Sequence, residues 1–165
     1  TEDYSIQKIK TTAVGGKTRQ QSVFAGVRAA SEDAAYSCIH DGARPLASRQ
    51  VIAGVLEAAQ REGAATAAVK AKDTIKIAGP DGFILSTPDR DSLYLTQTPQ
   101  VFEASLYREA MEAALAAGKE YTDDCQLVEA IGRRVYLAGG DYANIKLTTP
   151  EDQIVAEALL EYAGE

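Results

Sequence analysis

YSCIHDGARPLASRQVIAGVLEAAQREGAATAAVKA, residues 36–71, is the stretch from which the fold can be read. Residues 36–40 form a short, mostly apolar run stopped by Asp41-Gly42, the pattern of a buried strand. Ser48 stands at a helix N-cap, and Val51, Ile52, Val55, Leu56 and Ala59 follow as a 3.6-residue stripe that ends at Gly63. A second apolar run, residues 65–71, comes directly after. Strand, helix and strand joined by short loops predict an α/β fold with a mostly parallel, helix-covered sheet.

The same alternation extends in both directions. Upstream, residues 10–14 (KTTAV) read as a strand ending at Gly15-Gly16, and a helix from Thr18 to Ala30 has Thr18 as N-cap. Downstream, Thr74 to Ala78 and Phe83 to Leu85 flank the turn Gly79-Pro80-Asp81-Gly82, which predicts a β-hairpin. That hairpin is an inserted arm, covering about residues 74–95 with the irregular stretch behind it. A strand near 93–97, helices over about 103–117 and 123–131 with Thr122 as a capping candidate, and a strand at 135–138 come next. A short run at 145–147 and a helix from Pro150 to Tyr162 close the chain. No internal repeat or linker interrupts it, so residues 1–165 read as one domain.

Composition narrows the classes of function. The 165 residues are 45% hydrophobic and 25% charged, the balance of an ordinary globular domain. Cys38 and Cys125 form no CxxC pair, so a reducing cytosol is the expected compartment. No apolar run approaches the roughly 20 residues of a membrane span, and no signal peptide opens the chain. The net charge of -7 argues against a broad basic face for nucleic acid. It leaves room for a small phosphorylated ligand held by a few cations. The chain begins at Thr1 and its sole methionine is Met111, so either the start is processed or the chain is a piece of a longer polypeptide.

Ligands of an open α/β sheet bind at the carboxyl ends of its strands. Gly15 to Val23 (GGKTRQQSV) is a glycine turn feeding a helix N-terminus, which either receives an anion or is an ordinary turn with Arg19 solvated. The GxxxxGK[ST] spacing of a Walker loop is absent. In HDGARP (His40 to Pro45), Asp41 could take a hard cation such as Mg²⁺, and Arg44 could pair with phosphate; a structural Asp turn and salt bridge is the alternative. His40 is the only histidine, which leaves it a core or orienting role. TDD (Thr122 to Asp124) reads as a helix cap in preference to a second metal site. Lys146 in NIK, ahead of TTPED, is either a surface lysine or a cation aimed at a phosphate site.

Taken in order, GGKTRQQSV, HDGARP, DTIK, LTQTPQVF, TDD and NIKLTTPED closely resemble the 2-C-methyl-D-erythritol 4-phosphate cytidylyltransferase family. The resemblance implies a Rossmann-like, nucleotide-diphospho-sugar transferase-like fold and a homodimer built through the β-arm. It implies transfer of a cytidylyl group from CTP to the sugar-alcohol phosphate with Mg²⁺, in a bacterial cytoplasm. Gly16 and Ser22 fall where the family contacts cytidine, and Gly42, in place of the alanine of HDAARP, falls where a small residue of the family lines the nucleotide pocket. Asp41 matches the metal-binding aspartate, and Arg44, Thr74, Arg90 and Thr98 match positions around methylerythritol phosphate, some supplied across the dimer. Lys146 matches a catalytic lysine, with Arg90 beside it in the catalytic set. The family's N-terminal glycine-rich loop, with its arginine and lysine, is not in this sequence. The resemblance implies that the sequence starts about where the second or third βα unit would end, and with roughly 30 or more residues to a βαβ unit, about 60 residues are expected to be missing. The residues present are therefore expected to be inactive alone. A ribitol-phosphate or other sugar-phosphate cytidylyltransferase is the neighbouring expectation, and a non-catalytic phosphate-binding or dimerisation fragment is the other.

Overall fold

Ser48 acts as its position predicts: its Oγ accepts a hydrogen bond from Val51 N at 3.2 Å and opens α2 (Arg49–Glu62), which ends at left-handed Gly63. The computed structural model describes residues 7–163. Around α2 run α1 (Arg19–Ala29), β1 (Tyr36–Ile39), β2 (Ala64–Lys70), β3 (Ile77–Ala78), β4 (Ile84–Ser86) and β5 (Tyr94–Glu103). They are followed by α3 (Ala104–Ala117), α4 (Asp124–Ala130), β6 (Tyr136–Gly139) and α5 (Pro150–Ala163).

The main sheet has the order β1-β5-β2-β6. β5 runs antiparallel to both β1 and β2, while β2 and β6 are parallel, so β1, β2 and β6 all point the same way. Three of four strands therefore bring their carboxyl ends to one edge. Side chains alternate across the sheet. Ala65, Ala67, Val101 and Ala138 meet Val51, Val55, Ala58 and Ala59 of α2 on one face. On the other, Ile39, Ala64 and Phe102 pack with Phe24 of α1, Tyr107 and Met111 of α3, and Leu127 and Val128 of α4. The Phe102 and Tyr107 rings stack with centroids 5.0 Å apart. The arm is separate: β3 and β4 form their own antiparallel pair, with Phe83, Ile84 and Leu85 exposed.

Several expectations need correction. Residues 10–14 form no strand: they are exposed, and among the described residues no strand lies beside them to complete a ladder. β1 is an edge strand with only Ile39 buried, because it pairs on one side alone among the described residues. The strand expected near 93–97 runs on to Glu103; Pro99 does not end it, because β2 pairs on both sides of it, at Thr96 and Gln100, with a register shift between, and β1 joins from Gln100 onward. In α2 the buried stripe shifts to Val51, Val55, Ala58 and Ala59, leaving Ile52 and Leu56 exposed. The cap of α4 is Asp123, whose Oδ1 accepts from Gln126 N at 3.0 Å, and not Thr122.

Two glycines of α2 should respond oppositely to alanine. Gly63 has φ 83°, so Gly63→Ala should cost about 1–2 kcal/mol from backbone conformation alone, as nothing lies within 4 Å of the new Cβ. Gly54, inside the helix and equally unobstructed, should gain about 0.8–1 kcal/mol as alanine. Urea midpoints of the two variants check both signs.

Candidate active site

At the carboxyl edge of β1, Asp41 N donates to Thr98 Oγ1 at 3.0 Å, continuing the β1–β5 ladder through a side chain. His40 braces the same turn. Its Nε2 lies 3.0 Å from Arg44 O and its Nδ1 3.0 Å from Thr98 Oγ1. A carbonyl only accepts, so Nε2 carries a proton toward Arg44 O; in the neutral ring Nδ1 is then the acceptor and takes the hydrogen of the Thr98 hydroxyl. His40 is exposed and has the orienting role of the two foreseen for it.

The Asp41 carboxylate then collects three cations. Lys146 Nζ lies 3.0 Å from Oδ2, Arg19 Nη2 3.5 Å from Oδ1, and Arg44 Nε 3.9 Å from Oδ2. Burial alone would raise the Asp41 carboxyl; the Lys146 hydrogen bond and charge, with the charges of Arg19 and Arg44, outweigh it and hold the group below the usual carboxylate range. These side chains line a cavity of about 170 Å³ with Thr98, Thr122 and Asp123.

Buried amides fix the loop that carries Lys146. Gln97 Nε2 donates to Asp141 O at 2.8 Å, and Asn144 Nδ2 donates to Thr98 O at 2.9 Å. Arg44 Nη1 adds a 2.7 Å bond to Asn144 O, and Leu147 N reaches Ala43 O at 2.8 Å. Arg44 thus joins HDGAR to NIK through the backbone.

Of the residues singled out in the sequence, the structure brings Asp41, Arg44, Thr98 and Lys146 together around one cavity, with Gly42 exposed beside Asp41. Gly16 and Ser22 meet each other, not that cavity: Gly16 N donates to Ser22 Oγ at 3.1 Å, and a Cβ on Gly16 would collide with Gln21. Thr74 and Arg90 lie at the base of the arm, where Arg90 Nη1 donates to Lys72 O at 3.1 Å. Arg19 and Thr122 line the cavity although sequence reasoning left both out of the site. Each lies in a segment with a functional alternative, GGKTR and TDD, but the local pattern leaves the first open between an anion-receiving turn and a solvated Arg19 and favours a cap for the second.

Two carboxylates, Asp41 and Asp123, line the cavity, a thin metal site by themselves, and no cluster of three or more His, Cys, Asp or Glu that could hold a metal ion occurs among the described residues. Mg²⁺ is commonly held by one or two carboxylates plus substrate phosphates, and Asp41 fits that arrangement. Because its pairing lowers the Asp41 value, these contacts stabilise the fold above the ordinary aspartate value of about 3.9 and lose that effect as pH falls through the lowered one. Asp41→Asn should therefore be less stable than the parent near neutrality, and the gap should close in acid; urea midpoints from about pH 7 to about pH 3 check this.

Residues 2–162 match the family model for 2-C-methyl-D-erythritol 4-phosphate cytidylyltransferase. The Desulforamulus reducens enzyme of that name is 46% identical over 155 residues, 94% of this chain and 66% of its own length. Its Caldanaerobacter subterraneus counterpart is 50% identical over 146 residues, 88% of this chain and 64% of its own. The chain thus spans about two thirds of the length of these relatives. The crystal structure of the Thermus thermophilus enzyme superposes with a TM-score of 0.80 at 43% identity, covering 88% of this chain and 70% of that one. The Anaerococcus prevotii 4-diphosphocytidyl-2C-methyl-D-erythritol synthase gives 0.84 at 40% identity, over 89% and 68%. An ordered set of motifs, a cavity at the carboxyl edge of the sheet and relatives above 40% identity converge: this chain belongs to the 2-C-methyl-D-erythritol 4-phosphate cytidylyltransferase family.

Proposed function

We propose that the chain carries the cytidylyl-transfer site of an enzyme that joins 2-C-methyl-D-erythritol 4-phosphate to CTP and releases pyrophosphate, in the bacterial cytoplasm. The observation that carries this is Asp41 surrounded by Lys146, Arg19 and Arg44 at the carboxyl edge of the sheet. An acidic protein that gathers cations at one cavity is suited to a compact polyanion. In the reaction an oxygen of the sugar phosphate attacks the α-phosphorus, the bond to the β-phosphate oxygen breaks, and pyrophosphate leaves. No covalent enzyme intermediate is required.

Two anions must approach each other, so the protein contributes positioning and positive charge. Lys146 would stabilise charge developing at the α-phosphate, while Arg44 and Thr98 would orient the attacking phosphate. Asp41 would hold Mg²⁺ carried on the nucleotide phosphates, and the ion, when bound, neutralises their charge. Gly16, Ser22 and Gly42 are read as the cytidine side of the site. The test is pyrophosphate release by the whole protein given CTP, Mg²⁺ and methylerythritol phosphate, with ribitol phosphate as the competing acceptor. Release with ribitol phosphate alone would overturn the substrate assignment. Lys146→Ala should reduce kcat about 10²–10³-fold with a smaller effect on KM, because a contact made in the transition state acts on turnover.

The arm supports a homodimer. A two-stranded hairpin is marginal in water, and this one exposes Phe83, Ile84 and Leu85. Thr74 and Arg90 at its base do not line the cavity of their own chain, so we read them as reaching the neighbouring subunit's phosphate site. Removing residues 77–86 should give a monomer of low activity by light scattering and assay; a fully active monomer would remove the arm from the site.

A further inference from the structure

Arg19, the first residue of α1, is anchored from behind. Its Nη2 lies 2.8 Å from Oδ2 of Asp124, which is completely buried at the start of α4. The other oxygen, Asp124 Oδ1, accepts a 2.5 Å hydrogen bond from the phenol of buried Tyr107, and Asp124 N donates to Gln100 Oε1 at 3.1 Å. Desolvation and the Asp124 charge push the Tyr107 phenol far up, so it stays a donor. Asp124 is therefore an acceptor with one oxygen left for Arg19.

Neutralising Asp124 would not by itself call for a place on the cavity wall. Yet the Arg19 side chain is 33% exposed and lines the same 170 Å³ cavity as Arg44 and Lys146. Among the described residues its ion pairs and hydrogen bonds all run through Nη2, to Asp124 and Asp41. A guanidinium has five N–H donors in a rigid fork, so Nε and Nη1 remain uncommitted. We propose that Arg19 is a further phosphate-contacting residue of this site, with Asp124 and Tyr107 as the positioning pair that holds its fork at the cavity. The proposal rests on the reading above that the cavity takes phosphate groups.

The test titrates inorganic pyrophosphate and CTP into the protein while following arginine Nε–Hε NMR signals and binding heat. The Arg19 signal should shift with either probe. Arg19→Lys, which keeps a cation for Asp124 but loses the fork, should weaken binding about tenfold or more, the loss expected for a charge-assisted hydrogen bond. The double variant Arg19→Gln, Asp124→Asn removes cation and buried anion together, so a folded protein remains to be measured; it should weaken binding at least as much. Tyr107→Phe should give a smaller loss with a broadened Arg19 signal. Arg44→Gln serves as the reference for the phosphate site. If Arg44→Gln weakens binding while the folded Arg19 variants bind like the parent, the role of Arg19 is overturned and the phosphate reading stands. If the parent binds neither probe, the phosphate reading fails and takes this inference with it.

Discussion

Three neighbouring side chains of β5 hold the three loops that build the cavity. Gln97 bonds both ends of the Asp141–Asn144 turn, Thr98 holds Asp41 and His40, and Gln100 reaches Asp123 and Asp124. All three are buried, and a buried polar group left unpaired costs on the order of 1–3 kcal/mol. Each loop must therefore return to the strand to satisfy it. That requirement, more than any contact between the loops, places Asp41, Lys146 and Arg19 within reach of one another.

The framework was legible in the sequence because it obeys local rules. Ser48 and Gly63 bracket α2, Thr18 caps α1, Pro150 opens α5, and the Gly79-Pro80-Asp81-Gly82 turn makes a hairpin. What local rules could not supply is sheet order. The antiparallel insertion of β5 between β1 and β2 is a long-range fact, and with it went the edge position of β1 and the length of β5. A ladder also needs a partner, which KTTAV lacks among the described residues despite a composition suited to a strand.

The site divides along the same line. Asp41, Arg44 and Lys146 are charged residues in short, unusual motifs, and those stand out in a sequence. Gln97 and Gln100 look like any polar pair in a strand, and Asp124 looks like a helix-start carboxylate. Its burial against Tyr107 depends on α3 and α4 meeting beside the sheet. Arg19 was invisible as a site residue for that reason: its partner lies more than a hundred residues away in the chain.

The pinning of these loops also bears on entropy. A side chain already immobilised on folding does not have to be ordered again when a ligand arrives, which spares about 0.5–1.5 kcal/mol for each rotamer-rich group. Arg44, tied to Asn144 O, and Arg19, tied to Asp124, have given up that freedom in advance. Lys146 is different: its side chain is 43% exposed and its only anchor among the described residues is the Asp41 carboxylate. The cavity is thus a rigid frame with one flexible arm, and the conformational entropy lost on occupancy concentrates in that single lysine.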